Sequence, residues 1–349
     1  MAKKCRLAFL GFGNAARAFS QLLLDKASVL ESTKGMDVQI VGISTRSRRT
    51  LYQPEGISLA DLLEYDYTSK GWPEGLPNQG AEWSPMEMVE KADYDLLFEM
   101  TPLDIFSGQP AIQHVEKALL RGKDVITANK GPIAWDFSRL RNLAVEKGCR
   151  FYYETTVMDG TPVFNLVEKT LAFCQVTEVE GILNSTTNYV LEELGSGKNY
   201  QEILAEGKAR GFMEEDSSLD LEGWDAAAKV SALLNVLMDA QINPLQIERQ
   251  GILGITPEQI REAKKHNQVF KLICSGWREG KQVRGRVKPI LVPKDSIYGS
   301  IHGTSSMVSI STDLMGKLSI VEHNPEILQT GYGLFSDLLR VLDDEREWL

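Results

Sequence analysis

Lys3 to Leu10 forms a short apolar run that passes directly into Gly11-Phe12-Gly13-Asn14-Ala15-Ala16-Arg17, after which Ala18, Phe19, Leu22 and Leu23 recur at helical spacing. Strand, glycine turn, helix is the context in which a Gly-x-Gly-x-x-Ala pattern means dinucleotide binding. Gly11 permits the tight turn, and Gly13 lets the backbone approach a pyrophosphate at the positive end of the helix. Ala16 replaces a third glycine and still allows close helix–strand packing. The expected cofactor turn is therefore Gly11, Phe12, Gly13, Asn14 and Ala15.

The next apolar run, Asp37 to Ile43, ends in Ser44-Thr45-Arg46-Ser47-Arg48-Arg49. An NAD-preferring chain usually places an acidic residue there for the ribose 2′-hydroxyl. Here guanidinium groups stand instead, which suits a 2′-phosphate, so Arg46 and Arg48 favour NADP, with NAD as the alternative. A third strand from Tyr94 reaches Thr101-Pro102, a turn that delivers backbone near a nicotinamide. A fourth, Val125-Ile-Thr127-Ala-Asn129-Lys130-Gly131-Pro132, places Lys130 at the same edge of the sheet, where ligands sit in open α/β folds.

Farther along, Gly211-Phe-Met-Glu214 leads to Gly223-Trp-Asp225-Ala-Ala-Ala-Lys229, and Val230, Leu233, Leu234, Leu237 and Met238 continue with helical periodicity. Asp225 and Lys229 project from one side of that helix, on or beside its apolar stripe. Desolvation would lower a lysine pKa toward values useful for proton transfer. The competing account is an ordinary surface ion pair four residues apart, worth a few tenths of a kcal/mol.

Together these segments resemble homoserine dehydrogenase. The resemblance rests on the N-terminal glycine turn, Thr127-Ala-Asn-Lys-Gly-Pro132, Tyr153-Glu154-Thr-Thr-Val157-Met-Asp159-Gly160-Thr161-Pro162, Gly181-Ile-Leu-Asn184-Ser-Thr186-Thr-Asn-Tyr189, and Gly211 to Lys229. It implies oxidation of L-homoserine to aspartate 4-semialdehyde, or the reverse, with a nicotinamide cofactor. By position, Lys229 matches the family's acid/base lysine and Lys130 its second active-site lysine, which would also touch cofactor and substrate. Glu214 and Asp225 match the carboxylates that hold the substrate, and Thr186 should lie near it. The chemistry agrees: hydride leaves a carbinol carbon as its hydroxyl proton is taken, and a second cation polarises the developing carbonyl.

The resemblance also implies a monovalent cation such as Na⁺, held by Glu154 and by backbone oxygens of Val157, Asp159 and Thr161. Met158-Asp159 stands where homologues usually carry small residues. A tight turn without an ion is the alternative. Asn184 to Asn188 reads as a polar turn opening a helix from Tyr189 to Leu194, with Thr187 or Asn188 as its cap. Near the C-terminus, the family's glycine-rich cover over the nicotinamide has only Thr330, Gly331 and Gly333 as counterparts, and Gly331 is the expected cofactor contact.

With 349 residues, two domains are expected. An apolar fraction of 43% with 25% charged residues fits a globular enzyme. No apolar run approaches a membrane span, and the N-terminus lacks a signal-peptide pattern. A net charge of −10 argues against nucleic-acid binding. Cys5, Cys149, Cys174 and Cys274 are scattered as free cytoplasmic thiols would be, and the four histidines show no metal-ligand spacing.

The expected fold is α/β: a Rossmann-like nucleotide-binding domain over residues 1–150, then an α+β substrate and dimerisation domain with a mixed sheet over residues 151–330. A C-terminal helix within 331–349 would pack back on the first domain. By resemblance the mixed sheet pairs across a homodimer, and no regulatory domain is expected. The partner is a small amino-acid substrate. Another amino-acid or hydroxy-acid dehydrogenase, or a non-catalytic NADP-binding sensor, are the competing readings.

Overall fold

The computed structural model describes residues 2–65, 71–72, 77–209 and 216–343. It divides into two compact units, Met1–Glu168 with Glu326–Leu349, and Lys169–Pro325.

The first unit is a six-stranded sheet built from β1 (Lys3–Leu10), β2 (Met36–Thr45), β3 (Arg49–Tyr52), β4 (Leu96–Glu99), β5 (Asp124–Thr127) and β6 (Phe151–Tyr152), in the order β3-β2-β1-β4-β5-β6. All neighbours run parallel except β3, which returns antiparallel on β2. Leu7 to Leu10 of β1 are fully buried, because a central parallel strand is covered on both faces. The crossovers carry α1 (Asn14–Lys34), α2 (Leu59–Glu64), α3 (Pro85–Lys91), α4 (Ala111–Leu120) and α5 (Lys130–Lys147), followed by α6 (Val163–Thr170). Phe19 of α1 meets Phe98 of β4 at a ring-centroid separation of 4.7 Å, and Phe98 meets Phe9 of β1 at 5.2 Å. Chain order reverses between β1 and β4, so their carboxyl ends, Leu10 and Glu99, stand opposite each other at the crevice where such sheets take ligands.

This unit extends past residue 150, because β6 completes the sheet and the following turn docks on the same core. The helix Ile327–Leu342 belongs to this unit too and lies along α1. It begins before Tyr332, so the glycines expected to form a cover are helical. An added Cβ on Gly331 would stand 2.9 Å from atoms of Ala18 and Phe19. Gly331 is thus a close-packing position between two helices.

The second unit is a mixed sheet of β7 (Val176–Ile182), β8 (Glu248–Arg249), β9 (Gln268–Glu279), β10 (Gln282–Pro293), β11 (Ser306–Thr312) and β12 (Gly316–Glu322), in the order β12-β11-β7-β9-β10-β8. Its helices are α7 (Ser185–Leu194), α8 (Tyr200–Ala209), α9 (Ser218–Leu221), α10 (Trp224–Leu237) and α11 (Pro257–Lys265). The α10 helix approaches β9 and β10 closely because Gly276 and Gly285 leave room for Leu234. Strand β9 escapes sequence pattern reading: it lies inside the sheet with residues of both faces buried, so polar and apolar positions do not alternate.

Candidate active site

At the β1–α1 turn, Gly11 has φ +89°, and a Cβ there would collide with the Met100 carbonyl at the end of β4. Its amide donates to Ser44 O at 2.9 Å, tying the turn to the end of β2. Gly13 differs in kind: no heavy atom lies within 4 Å of an added Cβ, and no side chain caps α1. An open helix N-terminus fronted by empty space suits a pyrophosphate, so the turn fits a dinucleotide. Asn14 is exposed and Ala15 half-buried, whereas the Phe12 side chain is buried in the core, leaving only its backbone for a ligand.

Beyond β2, Thr45 Oγ1 accepts from Arg48 N at 3.0 Å, holding the basic turn that carries exposed Arg46. Arg49 is drawn away by Glu82 at 3.2 Å. At the neighbouring strand ends, Asn129 caps α5 by accepting from Gly131 N at 2.8 Å. Its Nδ2 donates to Thr101 O at 2.9 Å and lies 3.4 Å from Pro102 O. The Thr101-Pro102 turn and Lys130, first residue of α5, are therefore joined through one carboxamide.

The 154–161 turn, where a monovalent cation is expected, makes several contacts within the protein. Glu154 is buried, and its two carboxylate oxygens accept from Phe164 N and Asn165 N at 2.8 Å each, capping α6. Burial pushes its pKa up to about 7 against those hydrogen bonds. The Thr161 carbonyl accepts from Val163 N at 2.8 Å, and Asp159, at φ +45°, accepts from Thr330 Oγ1 at 2.7 Å. Of the four expected ligands, the Glu154 carboxylate and the Thr161 carbonyl thus accept hydrogen bonds within the protein, whereas at Asp159 the bond is made by the side chain and not by the backbone oxygen. Among the described residues, no group of three or more His, Cys, Asp or Glu could hold a metal ion.

In the second unit, Lys229 Nζ donates to Leu183 O at 2.7 Å and stands 3.6 Å from Asp225 Oδ2. Both side chains are about four-fifths buried, at 18% and 19% exposure, so this is not a solvated surface pair. Asn184 organises the rest. Its Nδ2 reaches Asp220 at 2.7 Å and Asp225 at 3.1 Å, while its Oδ1 accepts from Thr187 N at 2.8 Å and caps α7. The cap is therefore Asn184, not Thr187 or Asn188, and α7 starts at Ser185, placing buried Thr186 in its first turn.

The result is one amine beside two carboxylates that share a carboxamide donor, a set able to bind an ammonium and to move a proton. Asp220 and the bridging Asn184 were not singled out from sequence. The signal was an asparagine at a strand end, read only as a turn. Glu214 lies outside the described residues.

Family models agree with this division of labour. Residues 11–154 match the homoserine dehydrogenase NAD-binding domain, and residues 162–339 match the homoserine dehydrogenase model. The chain is 31% identical to an NAD(+)-dependent homoserine dehydrogenase of Pseudomonas canavaninivorans, over 96% of each chain. It is 30% identical to a homoserine dehydrogenase of Methanocaldococcus jannaschii, over 97% of this chain and 98% of the other. In fold it is similar to a hyperthermophilic archaeal homoserine dehydrogenase solved in complex with NADPH, with a TM-score of 0.82, 24% identity and 99% of both chains covered. A glycine turn shaped for a dinucleotide and a buried lysine–carboxylate cluster, in a chain that matches these proteins end to end, place it in the homoserine dehydrogenase family of NAD(P)-dependent oxidoreductases.

Proposed function

We propose that the protein interconverts L-homoserine and L-aspartate 4-semialdehyde with NADP, using Lys229 as the proton-transferring group. The observation that carries this reading is the Lys229 amine, held by Leu183 O and flanked by Asp225. A nicotinamide dinucleotide held at the Gly11–Asn14 turn would supply the hydride acceptor, or donor in the reverse direction. In the oxidative direction, neutral Lys229 takes the substrate hydroxyl proton as hydride leaves the same carbon. Asp220 and Asp225, with Glu214, bind the substrate ammonium, and Thr186 lies beside the substrate. Lys130 supplies the second cation, which polarises the developing carbonyl.

NADP is favoured because the end of β2 presents Arg46 and Arg48 and no carboxylate. The experiment is oxidation of NADPH by aspartate 4-semialdehyde, followed at the nicotinamide absorbance band and repeated with NADH. Rapid NADPH oxidation with a slower NADH rate is expected. Absence of oxidation by either cofactor overturns the reading, and a faster NADH rate overturns the NADP assignment.

The same reading includes a homodimer through one face of the mixed sheet. Register places Glu178 and Glu180 of β7 on the same face as Arg284 and Arg286 of β10, with Trp277 and Ser275 of β9 between them. A two-fold axis would oppose the acidic row of one copy to the basic row of the other. Sedimentation showing a monomer at micromolar concentration would rule this out. The four cysteines are free, in keeping with a cytoplasmic location, and no described helix is long and apolar enough to cross a membrane.

A further inference from the structure

Glu99, the last residue of β4, is fully buried, and neither the hydride-transfer reading nor the packing of the sheet calls for a carboxylate there. Its Oε1 accepts from the Thr101 hydroxyl and lies 3.4 Å from Nδ1 of His114, which is itself 3% exposed on α4. Its Oε2 has no hydrogen-bond partner among the described residues. A core carboxylate left partly unsatisfied is unfavourable, and an apolar residue of similar size would fill the space better. Its hydrogen bonds therefore point to a role.

The direction of those bonds supplies one. Because the Thr101 hydroxyl spends its proton on Glu99, it can meet Asn129 only as an acceptor. Asn129 Nδ2 lies 3.3 Å from Thr101 Oγ1 and 2.9 Å from Thr101 O. That fixes the carboxamide with its NH₂ group toward Thr101 and its oxygen toward Gly131 N, 2.8 Å away, the bond that starts α5 at Lys130. The Thr101 carbonyl, which can only accept, and the Gly131 amide keep that orientation by themselves; what Glu99 adds is a hold on the Thr101 side chain, and so on the turn that presents both acceptors to Asn129. The backbone is tied at the same point: Glu99 O accepts from Ala128 N at 3.0 Å and from Thr127 Oγ1 at 3.1 Å.

We propose that Glu99, braced by His114, is a positioning residue for Lys130, acting through Thr101 and Asn129. The proposal rests on reading Lys130 as an active-site lysine. It makes Glu99 a group that sets where the amine stands without touching substrate.

The test compares Glu99→Leu, Thr101→Val, their double variant and Lys130→Ala, each with kcat, KM for both substrates, dinucleotide affinity by fluorescence titration, and a thermal melt. Glu99→Leu and Thr101→Val are each expected to lower kcat about tenfold, and for Glu99→Leu, which lies away from the cofactor turn, dinucleotide affinity should change less than about threefold. The double variant should also lose about tenfold, because both changes break one relay. A hundredfold, additive loss in the double variant would overturn the proposal, as would single-variant kcat values within twofold of the parent while Lys130→Ala is inactive. Should Glu99→Leu fail to fold, Thr101→Val at its half-buried position carries the same test. An active Lys130→Ala variant would identify the lysine assignment as the step that failed, and the proposal falls with it.

Discussion

Lys229 Nζ donates to the carbonyl oxygen of Leu183 at 2.7 Å, so the amine on α10 is held by the residue that follows β7. The contact fixes a flexible four-carbon side chain against rigid backbone, which is what a proton-transfer group needs. Lys229→Ala should lower turnover by about 10²–10⁴-fold with dinucleotide affinity near that of the parent. Lys229→Arg should be as inactive, because guanidinium keeps the charge but cannot give up its proton. Steady-state rates with a binding titration check both. An active arginine variant would reduce Lys229 to a structural cation.

Asn184 joins two carboxylates that would otherwise repel, and caps α7 with its other end. Asn184→Ala should lower stability by about 1 kcal/mol through the lost cap. It should also raise KM for the amino-acid substrate more than it lowers kcat, since the carboxylates proposed to bind the substrate ammonium lose their common anchor. Urea titration and initial rates read the two effects separately. A pure kcat loss at unchanged KM would contradict this account.

Two glycine substitutions should have opposite signatures. A Cβ on Gly13 meets nothing and its φ of −87° suits any residue, so Gly13→Ala should melt like the parent. It should bind dinucleotide at least about tenfold more weakly, because the methyl takes the space left for the phosphates. Gly331→Ala should lower the melting temperature. Crowding against α1 backbone at 2.9 Å, about 1–3 kcal/mol, outweighs the helix-propensity gain of about 1 kcal/mol. Calorimetry and a dinucleotide titration on both variants decide it.

Lys271 on β9 is 3% exposed, donates to Asn188 Oδ1 at 2.7 Å and to Ile301 O, and burial lowers its pKa to about 8 from an ordinary 10.5. Between those values the unfolded chain holds a proton that the folded chain has released. Stability contributed by this group therefore rises with pH through the window, by up to about 1.4 kcal/mol per unit, and its charge-burial penalty is full below pH 8. Denaturant melts of the parent and Lys271→Met at several pH values should show the parent gaining on the variant from pH 8 to 10.5. Parallel pH profiles would refute the assignment.

Where residues carry their own local geometry, the sequence alone was enough. Gly11 and Gly13 between an apolar strand and an apolar helical run describe a dinucleotide turn, since backbone freedom and hydrophobic periodicity are properties of neighbouring residues. The same holds for Asp225 and Lys229, which share a helix side at any spacing of four. What depends on residues distant in the chain was decided only by tertiary structure. Asp220 joins the Lys229 cluster because Asn184, 36 positions earlier, reaches across to it. Glu154 spends both carboxylate oxygens on α6, and Gly331 faces Ala18 at the other end of the chain. Glu99 meets His114 only once β4 is buried under α4. Sequence determines which groups are present and how each segment bends; which donor finds which acceptor follows from packing, because a buried polar atom takes whatever partner the fold brings within 3 Å or so.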